Sequence, residues 1–403
     1  MRVVVAGGGF SGSRVAVGLG RAGVDVTLVS SDNFLLFTPM LAEVAAGDVD
    51  PRHIIAPLRQ IAPRAEVVQG VIESIDASTR SLKVAPYFAG GERTITGDVL
   101  VIAIGSVSNT FGVPGVDEHA LPFKTIVDAL RIRNRLLAQL EAKGTTSVAI
   151  VGAGYSGAEV TASLADFLGE VHRRFYASGV VPSVTLVDAV DRVTPGLSPS
   201  LSRAAARALD QRGVRLELGV AVSAVDAGGL VLANGRRVEA ESVIWAAGVK
   251  PHPLLSRSGI VVDKGRPVVD GHFRTGVEGV FAVGDAAQSP TGEGGFSPPT
   301  AQFALRQGRY LGRNLPAILE GLEVEPFRYH TKGELVSLGH HNAVGKVLGF
   351  PVSGLIGWFL WRTYYLWQLP TMLRRARVAI DWTLDVFFPP DIAWLPSSDL
   401  GPV

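Results

Sequence analysis

The chain has 403 residues, with 38 Lys and Arg against 37 Asp and Glu and a formal net charge of +1. That is about two to three domains' worth of sequence, enough to build a core without disulfide or metal support, and the balanced charge argues against nucleic acid as a main partner. There is no cysteine, which removes disulfide scaffolds, thiolate metal sites, iron–sulfur clusters and redox-active dithiols together.

Val3–Ala6 reads as a buried strand. It lies too close to Met1 and Gly7 to be the apolar core of a signal peptide, and none is expected. Gly7-Gly8-Gly9-Phe10-Ser11-Gly12 fits G-x-G-x-x-G; Ser13–Ala22 then reads as a helix closed by Gly23, and Val24–Val29 as a strand. Strand, loop and helix are the setting this motif needs to bind a dinucleotide. Gly7 permits the tight turn, Gly9 lets the backbone approach a pyrophosphate, and Gly12 allows close helix–strand packing. Phe10 and Ser11 stand at the helix N-terminus, whose N–H groups suit an anion. The second strand ends in Ser30, with Ser31 and Asp32 after it, in place of the usual acidic residue. A hydroxyl or Asp32 is left for the ribose.

The pattern returns 145 residues later, Val148–Gly157 repeating Val3–Gly12. Val148–Val151 precedes Gly152, Gly154, Tyr155, Ser156 and Gly157, a helix follows over Ala158–Leu168, and a strand over Val184–Val187 ends in Asp188. The gap to Asp188 exceeds the usual ~20 residues, so the helix must extend. Asp188 suits both ribose hydroxyls of NAD and would repel the phosphate of NADP, which favours NADH. Glu159, by itself, is a solvated or helix-dipole partner at the start of that helix. Further apolar runs at Val99–Ile104, Val243–Ala246 and Val280–Val283 alternate with helical patterns, as in doubly wound parallel sheets. Two loops mean two dinucleotides, or one and a degenerate copy; FAD with NAD is the economical reading.

Thr275–Asp285, with its G-V-F-A-V-G-D ending at Gly284 and Asp285, completes a set of three elements. Together they resemble the two-dinucleotide-binding flavoprotein disulfide reductase superfamily. In that resemblance the strand carries Asp285 to the ribityl and pyrophosphate region of a flavin, and Val99–Gly105 and Val243–Gly248 are the connecting segments, with Ile104 where Thr is common. The missing cysteines exclude the members that work through thiols. The rest of the chain resembles the type II NADH:quinone oxidoreductases. Asn33–Leu41 looks like their N-Y-x-x-F-T-P-L-L segment beside the flavin, with Thr38 and Pro39 in place. Ala301–Arg306 looks like their A-Q-x-A-x-Q quinone helix: Ala301 and Gln302 match, and Arg306 replaces the second Gln. Phe327–Gly339 fits the strand that follows.

The resemblance implies an α/β fold of two Rossmann-like domains, the NAD domain inserted in the FAD domain, with a C-terminal membrane-associating helical segment. Expected boundaries are 1–112 and 266–335 for FAD, 113–265 for NAD(H), and 336–403 for the tail. It also implies tightly bound non-covalent FAD, NADH as co-substrate, Glu159 beside the nicotinamide and flavin, and a lipid quinone near Gln302. Two-electron transfer would run without ion pumping.

The tail differs in composition. Five of the six Trp, Trp358, Trp361, Trp367, Trp382 and Trp394, lie in the last fifty residues, and Val347–Ile380 has no acidic residue. Leu355–Met372 is apolar and aromatic but contains Arg362, Gln368 and Pro370, so an interfacial segment is expected rather than a span of ~20 apolar residues. Arg374, Arg375 and Arg377, and a second amphipathic stretch at Val378–Phe388, would assist it. The resemblance implies a peripheral location on the cytoplasmic side of the cell membrane, and a homodimer is a further expectation. His340-His341 is not expected to bind metal, since adjacent residues do not face one another and no ligand cluster is visible around them; no metal site is expected anywhere. Two alternatives remain: a soluble flavin reductase serving a small redox protein, and a non-catalytic NADH-sensing flavoprotein.

Overall fold

Runs of β-branched and aliphatic residues that are buried on both faces need neighbours on both edges, and parallel sheets supply them. In the computed structural model, which describes residues 1–87, 90–177, 179–292, 294–331 and 333–394, this happens twice. The chain divides into one unit of Met1–Leu36, Ile55–Val107 and Val249–Thr331, and another of Phe37–Ile54, Ser108–Gly248 and Lys332–Val403.

In the first unit Arg2–Ala6 is the central strand of five. It pairs in parallel with Asp25–Ser30 and Val99–Ile102, which are flanked by Glu66–Gln69 and Val280–Ala282. Val3, Val4, Val5, Leu28, Leu100 and Ile102 have no exposed surface. The helix after the first glycine loop runs Phe10–Arg21 and buries Val15, Ala16 and Leu19 against this sheet. The Ala301–Leu319 helix packs along it through glycines. A Cβ on Gly308 would lie 2.3 Å from the Ser11 carbonyl oxygen, and one on Gly18 would lie 2.5 Å from the backbone of Gly312. Only glycine lets two backbones approach so closely.

The second unit repeats the plan around Ser147–Val151, paired in parallel with Ser183–Asp188 and Ser242–Trp245, with Arg215–Leu218 and Ala120–Pro122 at the edges. The helix after the second glycine loop continues to Phe175, which accounts for the distance to Asp188. The Ile126–Lys143 helix begins with a capping box, Thr125 accepting from the Asp128 N–H at 3.1 Å and Asp128 from the Thr125 N–H at 2.8 Å.

An antiparallel sheet of Gly333–Ser337, Ala343–Val347 and Phe350–Ser353 leads into helices Gly354–Gln368 and Met372–Phe387. The expected strand from Phe327 onward therefore begins only at Gly333 among the described residues. Phe327 is occupied elsewhere: it is buried against Phe273, and its N–H donates to the Gly271 carbonyl at 2.8 Å. The second tail helix is amphipathic, as expected, whereas the first is apolar over most of its surface rather than two-faced; both contribute to the core, because Trp361, Val378 and Trp382 are buried. Leu355, Ile356, Phe359, Trp367, Ile380 and Phe387 remain exposed. No helix among the described residues is long and apolar enough to cross a membrane. Residues 395–403 of the expected tail lie outside the described residues.

Two glycine cradles and a buried carboxylate cluster

Each glycine loop has the geometry its sequence asks for. Gly7 has φ +106°, and a Cβ there would meet the Ala103 carbonyl oxygen at 2.4 Å; Gly152 has φ +113°, with Ala247 N at 2.8 Å. A Cβ on Gly12 would meet Gly7 O at 1.9 Å, and one on Gly157 would meet Gly152 O at 1.7 Å, so the third glycine clamps helix to loop in both cases. At Gly9 and Gly154, by contrast, an added Cβ meets no protein atom within 4 Å. These are the two positions where backbone must come close to a pyrophosphate, and both are N-caps without a side-chain hydrogen bond. The residues present therefore fit a dinucleotide at each loop.

Around the first cradle, Gly284 has φ +72°, and a Cβ there would press on Ser11 Oγ at 2.5 Å. Ser106 Oγ donates to Asp285 at 3.1 Å, next to Gly105 at φ +71°. Ser30 is buried at the end of its strand, and burial raises the Asp32 carboxyl above its usual range. One residue not singled out in the sequence organises this region. The fully buried Gln307 accepts from the Gly284 N–H at 2.8 Å and donates to Ser289 Oγ at 2.7 Å. It ties the turn before Asp285 to the Ala301–Leu319 helix.

Near the start of that helix, Gln302 Oε1 accepts from the Tyr329 hydroxyl at 3.2 Å and the Thr331 hydroxyl at 3.3 Å. Arg306 stands at the position of the second Gln. Its guanidinium stacks 4.2 Å over the Tyr329 ring and donates to the Gln302 carbonyl at 3.1 Å. A groove of about 520 Å³ runs beside it, lined by Arg306, Asn314, Arg328 and Tyr329 among others.

Around the second cradle, Asp188 accepts from the N–H groups of Ala153 and Val190, the latter at 2.9 Å. Its carboxylate is fixed at the loop. Tyr155 donates its hydroxyl to Glu334, beneath Gly196. Gly248, at φ +63°, accepts from the Asn109 N–H at 3.3 Å.

One turn beyond Tyr155, Glu159 accepts from the Ser337 N–H at 3.2 Å, while burial pushes its carboxyl up to about 8. A second carboxyl behaves alike. Glu43 lies on Leu41–Ala46, a helix buried at every residue, and burial pushes it up to about 8 although Arg362 opposes the shift. The sequence held no warning of Glu43, because nothing local distinguishes it from a surface glutamate. Nor did it show the surroundings of His340. That imidazole lies 3.4 Å from Asp48 and 3.6 Å from Asp385, so the three do form a cluster. Asp48 foremost holds the imidazole up at about 9.

Comparison with known proteins agrees with this architecture. The pyridine nucleotide-disulphide oxidoreductase family model matches residues 1–308, and the NDH2 C-terminal domain model matches residues 331–390. A type II NADH:quinone oxidoreductase from Staphylococcus aureus is 27% identical over 372 residues, covering 88% of this chain and 91% of the relative. In fold, the chain is similar to NDH2 from Plasmodium falciparum solved in complex with NADH, with a TM-score of 0.90 at 20% identity over 97% of this chain and 99% of that one. It is also similar to the sulfide:quinone oxidoreductase of Aquifex aeolicus, with a TM-score of 0.75 at 18% identity over 96% and 95%. The first of these models matches well over half of the chain, and the chain belongs to that family: it is a pyridine nucleotide-disulphide oxidoreductase family member whose residues 331–390 match the NDH2 C-terminal domain.

Proposed function

We propose that this protein is an FAD-dependent NADH:quinone oxidoreductase that takes a hydride from NADH and passes two electrons to a lipid quinone without pumping ions. The observation that carries this reading is the likeness to a type II NADH:quinone oxidoreductase along 88% of a chain that has no cysteine. Thiol–disulfide and persulfide routes, which serve other members of such folds, need a sulfur nucleophile that this sequence does not contain.

FAD held at the first cradle supplies the conversion between hydride and electron-pair chemistry. The protein's own part is binding and electrostatics. The helix N-terminus at Phe10–Gly12 faces the pyrophosphate, Asp285 and Ser106 hold the ribityl side, and Ser30 and Asp32 take the adenosine ribose. Gly105 and Ala301 complete the flavin's surroundings. At the second cradle Asp188 takes the ribose hydroxyls of NADH, Tyr155 and Ser156 stand at the pyrophosphate, and Gly248 borders the site. Glu159 orients the nicotinamide. Gln302, held by Tyr329 and Thr331, presents its amide to the quinone headgroup.

The exposed apolar residues of the two tail helices rest on the cytoplasmic leaflet, where a lipid quinone is at hand. Of the three arginines, Arg374 is turned into the protein and is 9% exposed, while Arg375 stacks 4.8 Å over Trp367. Aromatic and aliphatic contact therefore contributes more to docking than a splayed basic patch.

Anaerobic stopped-flow spectroscopy separates the two half-reactions. Flavin bleaching by NADH followed by reoxidation on adding a quinone in lipid vesicles supports the assignment; reoxidation by oxygen alone, with no quinone response, would overturn it. Gln302→Ala is expected to slow the quinone step about tenfold or more and to leave bleaching by NADH nearly intact. In the same instrument Asp188→Ala should narrow the preference for NADH over NADPH, and unchanged selectivity would refute the ribose role.

A further inference from the structure

Asp48, His340 and Asp385 all belong to the second unit, and the chemistry described so far uses none of them. Their spacing is informative. His340 Nε2 stands 3.4 Å from Asp48 Oδ2 and 3.6 Å from Asp385 Oδ2. A charge-assisted hydrogen bond between such groups is about 2.7–2.9 Å long, and neither contact is that short. Nε2 itself is buried and makes no hydrogen bond. Two ligand atoms held about 2.1 Å from one divalent ion at a tetrahedral angle stand about 3.4 Å apart, close to both observed spacings.

Charge points the same way. Among the described residues, the His340 imidazole is the only cationic side chain within 4.0 Å of either carboxylate. One positive charge at most therefore meets two negative ones, although the Asp48 and Asp385 side chains are only 11% and 20% exposed. A divalent cation beside a neutral imidazole would balance both carboxylates, where a single proton balances one.

Three separate elements hold the three side chains. Asp48 follows the Leu41–Ala46 helix, whose end is fixed by Arg133 donating to the Ala46 carbonyl at 2.9 Å. His340 lies in the turn between Gly333–Ser337 and Ala343–Val347. Its N–H donates to Asp166 at 2.6 Å, its carbonyl accepts from Arg212 at 2.9 Å, and Arg212 pairs with Asp166 at 2.9 Å. Asp385 is carried by Met372–Phe387, which is anchored where the Trp382 indole N–H donates to Glu43 at 3.2 Å. None of these anchors uses Nε2 or the two carboxylates, so the ligand positions are set before an ion arrives. His341 takes no part, its ring lying 5.0 Å from that of Trp358. One imidazole nitrogen with carboxylate oxygens suits a first-row ion such as zinc better than calcium or magnesium, which favour oxygen shells. Three protein ligands leave a fourth position to water.

We propose that Asp48, His340 and Asp385 form a site for a zinc-like divalent cation that ties the Met372–Phe387 tail helix to the segment after Leu41–Ala46 and to the turn at His340. The ion binds the neutral imidazole, and any proton on that ring passes to solvent. The site is structural and does not depend on the quinone reading.

The test uses the full FAD-loaded chain, stripped with a chelator and titrated with zinc chloride. One zinc per chain is expected, with the melting temperature raised by roughly 5–10 °C at a hundredfold excess over the dissociation constant. His340→Gln and Asp385→Asn should each weaken binding at least about tenfold, which is what loss of an outer-shell partner alone costs. His341→Gln should leave it unchanged. Hydrogen exchange of the native protein adds a readout that needs no variant: the Met372–Phe387 amides should exchange more slowly with zinc than without. No zinc uptake would overturn the site. Equal uptake by the native protein, His340→Gln and Asp385→Asn would mean an adventitious ion only and would overturn it too. Uptake that leaves exchange in the tail helix unchanged would overturn the tie.

Discussion

Gly308→Val is expected to release FAD from the protein and to lower its melting temperature by roughly 5–10 °C, using about 2–4 °C per kcal/mol for a unit of this size. The reason is steric. A Cβ at this position would stand 2.3 Å from the Ser11 carbonyl oxygen and 2.7 Å from the Ser11 Cα, all backbone that no rotamer change can move. Overpacking of this kind costs about 1–3 kcal/mol. Relief can come only by pushing the Phe10–Arg21 helix away from Ala301–Leu319, and the helix N-terminus that faces the pyrophosphate moves with it. Gly9→Ala is the contrast. Its Cβ meets no protein atom, so apoprotein stability should be unchanged while FAD affinity drops. Absorbance at the flavin band and the apoprotein melting curve distinguish the two. If Gly308→Val kept its full complement of FAD and melted with the native protein, the glycine contact would not be what positions the cradle.

These two glycines also mark the limit of what sequence reading reached. Gly9 belongs to a contiguous motif whose strand–loop–helix setting is local, so its role was readable without knowing any partner. Gly308 and Gly312 form an ordinary-looking helical spacing, and their meaning depends on which helix lies opposite. The parallel sheets, the helix extension before Asp188 and the two tail helices were legible because hydrophobic period and turn residues specify them locally. The strand after the Gln302 helix was placed too early because Phe327 looks like a strand residue but is bound to Gly271 instead. The carboxylate cluster was invisible for a different reason. Glu43, Glu159, His340 and Asp385 come from four stretches more than a hundred residues apart in most pairings, and only the packing of the tail onto the Leu41–Ala46 helix brings them into one environment.

That environment should make the protein progressively less stable from about pH 5 to pH 9. Glu43 and Glu159 have carboxyls pushed up to about 8 by burial, against about 4.5 in the unfolded chain. Between those values the folded state holds protons that the unfolded state has lost, so stability falls as pH rises, by up to about 1.4 kcal/mol per pH unit for each group. The two influence one another and titrate as a pair, so their slopes do not simply add. His340 works in the same direction at higher pH. Its imidazolium is held up to about 9 beside Asp48, so its stabilising contribution is complete below about 6.5 and is lost as pH rises through 9. Melting temperature measured in steps from pH 5 to pH 9 should decline throughout. Glu43→Gln, which keeps the acceptor for Trp382 but cannot ionise, should flatten the curve between pH 5 and 8 and make the variant the more stable protein at pH 9. His340→Gln should instead lower stability at pH 6 and make the decline between pH 8 and pH 9 shallower. Parallel curves for native protein and Glu43→Gln would show that Glu43 ionises without cost, and a carboxylate that ionises freely could not be the neutral member of the cluster.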